Sequence, residues 1–150
     1  MKNLFEPALV DGIKQRTSRL QSTSERQWGK MNPVQAAAHC SAGLQMALGD
    51  IRPQRAFVGR ILGPIVKGFA FRDDEPMHRN SPTAKELITS DAHDMDVERT
   101  RLLGLIDRFA AAGPDDCSTH PHPFFGKLTR EQWGILMYKH LDHHLRQFGA

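Results

Sequence analysis

A chain of 150 residues with 20 basic and 17 acidic side chains has the length of one domain and enough material to bury a core without disulfide or metal staples. Its net charge of +3 is mild and mixed, and its two cysteines, Cys40 and Cys117, are too few for a disulfide framework, which argues against a nucleic-acid partner and against an oxidising compartment. No window is apolar for the length of a membrane span, and the opening Met-Lys-Asn-Leu-Phe-Glu-Pro has no signal-peptide core, so the expectation is a single cytoplasmic domain over residues 1–150 with no membrane contact.

Strand-like alternation of β-branched residues is nearly absent outside residues 86–89, and the chain reads as all-α. The first helix, over residues 7–21, places Val10, Ile13, Thr17 and Leu20 at helical spacing, with Pro7 suited to the first turn. Ser24 to Gln27 has the pattern of a capping box, predicting one short turn that ends near Trp28 and Gly29. Asn32-Pro33 is a strong start signal for the second helix, which runs to Gly49.

Residues 54–70 read as a helical stretch broken by Gly59, Gly63, Pro64 and Gly68, an appendage over one end of the molecule and a candidate dimer interface or lid. Around it, Arg52, Arg55, Arg60, Lys67 and Arg72 occur with no acidic residue between Ile51 and Arg72. An anionic-substrate rim and an anionic surface both fit that charge. The preferred reading is a solvated basic face on a helix that packs Phe57, Leu62, Ile65 and Phe69 inward. Residues 72–92 are rich in turn formers and predict a crossover loop. Asp91 or Asp94 then opens the third long helix, whose stripe is Met95, Leu102, Ile106 and Phe109, and Gly113-Pro114 stops it. Thr129 and Gln132 form the capping box of the last helix, which ends at Gly149. Four long helices and an appendage predict a four-helix bundle with a long crossover.

Eight histidines are present, three of them in Lys139-His140-Leu141-Asp142-His143-His144. At about 100° per residue, His140 and His144 lie about 40° apart on the face of Trp133, Leu136, Met137 and Phe148, with Lys139, Asp142 and Arg146 opposite. His143 falls at the edge of that face. In the second helix His39 shares a face with Ala36, Gly43, Met46 and Ala47, while Ser41 and Gln45 turn outward. A lone inward histidine is usually a hydrogen-bonded core residue. Three would need three separate polar partners, and the inward faces offer little beyond Gln35 and Gln147, whereas one shared metal satisfies all three. Two histidines at i, i+4 converge on a metal, and three imidazoles leave a fourth coordination position open. His120 and His122 precede the last helix. His140 lies about 16 Å along that helix from Thr129, so a loop role is expected for that pair. His78 and His93 fall in or beside the crossover.

These features occur in a recognisable order: Gln27-Trp28-Gly29-Lys30-Met31, Ala38-His39-Cys40, Phe124-Phe125-Gly126-Lys127-Leu128-Thr129, Trp133, then the terminal His-x-x-x-His. Over nearly its whole length the chain resembles the DinB-like superfamily, in a bacterial branch classed as a domain of unknown function. The resemblance implies a four-helix bundle, often a homodimer, with a divalent transition metal held by His39, His140 and His144. Imidazole suits several metals, zinc and nickel foremost. The resemblance also implies a small-molecule substrate, since characterised members include transferases that join a low-molecular-weight thiol to an electrophile. Three functions follow as expectations: a metal-dependent thiol S-transferase, a metal-dependent hydrolase, or a non-catalytic metal or small-ligand module. General-base candidates are His143 and Tyr138, by proximity alone, and Tyr138 lies on the far side of its helix.

Overall fold

The computed structural model describes residues 1–79, 87 and 94–150. Five helices form: α1 (Pro7–Arg19), α2 (Pro33–Ala47), α3 (Phe57–Ala70), α4 (Met95–Ala112) and α5 (Arg130–Gln147), with a 3-10 turn at Pro114–Asp116. Among the described residues there is no strand, and His122 and Gly126 form an isolated bridge. The sequence-predicted strand-like segment 86–89, apart from Leu87, and the alternative start at Asp91 lie outside the described residues, as does His93.

Local chemistry sets the helix ends. Asn32 Oδ1 accepts the Gln35 amide at 2.8 Å while Gln35 Oε1 accepts the Asn32 amide at 3.0 Å, a reciprocal cap that satisfies two donors otherwise left open in the first turn of α2. Thr129 and Gln132 repeat the device on α5 at 3.1 and 3.0 Å. Asp94 Oδ1 accepts from Asp96 and Val97 at the head of α4. That helix stops where Gly113 takes φ 70°, a left-handed angle that glycine adopts without a Cβ clash.

α2 packs against α4 and α5, and α1 packs against the same two. Ile13, Leu44, Leu102, Ile106, Phe109, Trp133, Met137 and Leu141 are each almost wholly buried between them. Each such side chain contributes about 1.5–3 kcal/mol over its exposed state, which is the main term holding α2 beside α5.

Four expectations are corrected. Residues 24–27 form no helical turn, because Ser24 Oγ accepts the Gln21 amide at 3.0 Å and the Gln27 amide donates to the Gln147 carbonyl at 2.8 Å. Of Lys139, Asp142 and Arg146, opposite the histidines on α5, only Arg146 faces solvent. Lys139 is buried with Nζ donating to the carbonyls of Ala70 and Asp73, and Asp142 is buried between Arg16 and Arg146 at 2.6 and 2.7 Å. Ser41 is wholly buried rather than outward, since α2 is covered by α4 as well as by α5.

The fourth correction concerns α3, which is one unbroken helix through Pro64 and turns its apolar side outward. Phe57, Ile61, Ile65 and Phe69 are 75, 59, 62 and 61% exposed, and Val58 and Leu62 are exposed beside them. Glycine provides the reason. Gly59 and Gly63 sit on the Pro123–Phe125 loop so closely that a Cβ on Gly59 would come 2.6 Å from Phe124 Cα. The side lacking side chains therefore faces the body, and the large residues are left outside.

Candidate metal centre

α2 contributes His39 and α5 contributes His140 and His144 from successive turns. The three rings meet nearly edge-on, with centroid separations of 4.7 Å (His39 to His140), 4.8 Å (His39 to His144) and 5.0 Å (His140 to His144). One nitrogen from each ring lies within 4.8 Å of the other two, and the group can hold a metal ion. Among the described residues no carboxylate or cysteine joins them.

Hydrogen bonds choose the free nitrogens. His39 Nδ1 lies 2.8 Å from the Leu87 carbonyl, which can only accept, so Nδ1 carries the proton and Nε2 keeps a lone pair, which faces His140 Nε2 in this structure. His144 Nδ1 lies 2.8 Å from Gln147 Oε1, and Gln147 donates through Nε2 to the Trp28 carbonyl at 2.8 Å. That second bond fixes the amide orientation, so His144 also offers Nε2. Oxygen acceptors on the outer nitrogens are the usual means of orienting metal-binding imidazoles. His140 Nε2 stands 2.8 Å from His39 Nε2, and His140 Nδ1, buried against α2, has no hydrogen-bond partner among the described residues.

The donor set fits a divalent ion. Burial depresses all three imidazoles below the ordinary 6.5: His39 despite the Leu87 bond, His140 far below through burial and the neighbouring histidines, and His144 to about 3 through burial and His39. Each ring is therefore neutral at neutral pH, the form that binds metal. Gly43 allows the close approach, since a Cβ there would stand 2.9 Å from Cε1 of His140. Several borderline divalent ions accept such ligands, and nothing in the donor set distinguishes zinc from nickel.

The remaining candidates fall elsewhere. His143 borders the cluster, edge-on to Trp28 at 5.7 Å and to His144 at 5.1 Å, and is hydrogen-bonded to the Met77 backbone. Tyr138 sits under Lys2, away from the histidines. His120 Nε2 lies 3.3 Å from the Pro53 carbonyl, and His122 Nδ1 accepts the amides of Phe124 and Phe125, so both organise loops. Gln35 is consumed by the α2 cap and does not serve the histidines. Leu87 was not signalled by the sequence, because its role depends on a backbone carbonyl 48 positions from His39. Burial raises the Cys40 thiol strongly and the Cys117 thiol to about 11, so neither supplies a thiolate near neutrality. A cleft of about 420 Å³ beside Arg52, Cys117 and His120 does not touch the three histidines.

No helix of the described residues is long and apolar enough to cross a membrane. No curated protein and no solved structure matches the chain. The family described as protein of unknown function (DUF1569) matches residues 3–150, and the chain belongs to that family.

Proposed function

We propose that His39, His140 and His144 hold one divalent transition metal, zinc or nickel, and that the centre serves a thiol S-transferase acting on electrophilic small molecules. The observation that carries the metal assignment is the convergence of three neutral imidazoles, two of them with their outer nitrogens held by oxygen acceptors. A divalent ion there stabilises thiolate over thiol and supplies a nucleophile at neutral pH. The chain's own part is orientation. The Leu87 carbonyl and Gln147 aim His39 and His144, and the protonated Cys40 and Cys117 do not compete for the ion or the electrophile. The choice of thiol transfer over other chemistry rests on the DinB-like resemblance.

Elemental mass spectrometry on untagged protein should find near-stoichiometric metal that falls sharply in His39→Ala and His140→Ala. Metal-loaded protein should then accelerate conjugation of a thiol to an electrophile above a His144→Ala control. Equal rates would rule out the transferase, and ester turnover without thiol would point to a hydrolase instead.

We also propose that α1, α2, α4 and α5 form a DinB-like four-helix bundle in a single domain, supported by their mutual packing and by the separation of α3. Its proposed homodimer forms through α3. The exposed row is nearly palindromic about Gly63, with Phe57 matching Phe69 and Ile61 matching Ile65, as a two-fold contact requires. Its apolar surface, on the order of 700 Å², approaches the roughly 800 Å² per partner of a standard stable interface.

A further inference from the structure

We propose that Arg79, stacked on Trp28 at the rim of the three-histidine cluster, selects the ligand of that cluster, favouring a small thiol that also carries a carboxylate. This deepens the thiol reading above and rests on it.

Position is the first support. The Arg79 guanidinium carbon lies 4.1 Å from the centroid of the Trp28 ring. Trp28 meets His143 edge-on at 5.7 Å, and His143 meets His144 at 5.1 Å. A second link runs through hydrogen bonds, from the Trp28 carbonyl to Gln147 and from Gln147 to His144 Nδ1. The backbone just before Arg79 is tied to the same place, since Met77 is hydrogen-bonded to His143. Arg79 is thus anchored to the rim from two directions, three contacts away from His144.

Charge is the second support. The three clustered histidines are neutral, and among the described residues Arg79 has no carboxylate partner. The carboxylate facing His143 is Asp142, whose oxygens are taken by Arg16 at 2.6 Å and Arg146 at 2.7 Å. Among the described residues this rim carries a cation with no available anion, a charge that attracts a negatively charged ligand. Stacking on indole occupies the face of the guanidinium and leaves its edge donors directed outward, the geometry that pairs with a carboxylate. Among the described residues Trp28 Nε1 is itself buried without an acceptor, a second donor at the same place.

A metal held by His39, His140 and His144 would favour the thiolate, the thiol proton passing to solvent, while the carboxylate pairs with Arg79. No other bond changes. Arg79 is a specificity residue in this scheme and touches no reacting atom.

The test uses cobalt-loaded protein and follows the sulfur-to-cobalt charge-transfer band. Mercaptocarboxylates of increasing length, from mercaptoacetate to mercaptohexanoate, are titrated beside the matching mercaptoalcohols, with Trp28 fluorescence as a second readout. The carboxylate of best length should bind about tenfold tighter than its alcohol, a difference of about 1.4 kcal/mol. Arg79→Gln should erase that preference while metal content and alcohol affinity stay constant, and Arg79→Lys should restore part of it. Equal affinities in the unmodified protein, or a preference that survives Arg79→Gln, would overturn the proposal, and a uniform loss for every thiol would make Arg79 merely structural. If the protein takes up no cobalt, the metal reading fails separately. Trp28 fluorescence then decides, and quenching by carboxylates that needs Arg79 sustains the anion site whereas its absence ends it.

Discussion

A methyl group at position 43 would fall 2.9 Å from Cε1 and 3.0 Å from Nδ1 of His140, so the approach of α2 to α5 depends on glycine having no side chain there. The obstruction is a ring held between two helices, which cannot swing away as a flexible side chain would. Gly43→Ala should therefore cost about 1–3 kcal/mol and lower the metal content, read by thermal unfolding and elemental analysis of one preparation. Unchanged metal with unchanged stability would show that the two helices separate freely.

His122 predicts a pH dependence through its own loop contacts. Burial lowers its pKa from 6.5 to about 4, and its Nδ1 must stay unprotonated to accept the amides of Phe124 and Phe125. The unfolded chain protonates at the ordinary value and the native state resists, so the stabilisation is complete above pH 6.5 and is lost as pH falls toward about 4. Its size is roughly 3 kcal/mol. Urea midpoints at neutral and mildly acidic pH should fall further in the unmodified protein than in His122→Asn, whose side-chain oxygen can accept the same amides. Parallel losses would assign the acid sensitivity to other groups.

At the scale of elements, helix starts were legible because each depends on residues within one turn. Asn32, Asp94, and Thr129 with Gln132 cap where their patterns predict, while the part of Gln35 in the first of these caps was not foreseen. The orientation of α3 was not legible. Periodicity grouped its apolar residues correctly, and the rule that such a face turns to the core then failed, because Gly59 and Gly63 let the opposite side approach the Phe124 backbone more closely. Gly63→Ala should push α3 off that loop. Hydrogen exchange over residues 57–70 should accelerate while metal content is unchanged, since α3 does not contribute to the histidine cluster. Unaltered exchange would mean that α3 is held by other contacts.

For the whole molecule, the exposed row of α3 bears on assembly. Ile61→Asp with Ile65→Asp places charges at the centre of the proposed two-fold contact, so sedimentation should change from dimer to monomer with helix content intact. A monomeric unmodified protein would remove the dimer proposal.

The sequence by itself determined the all-α class, the helix caps and the shared faces of His140 and His144, because these follow from spacing along one chain segment and from hydrogen bonds three or four residues long. It also selected His39 as inward-facing by phase. Tertiary structure decided what surrounds those rings. The Leu87 carbonyl reaches His39 across 48 positions and Lys139 reaches the Ala70 carbonyl across 69, while Arg16 pairs with Asp142 across 126. Such partners leave no periodic trace, since each is chosen by how whole helices pack, and so do the burial of Ser41 and the outward face of α3.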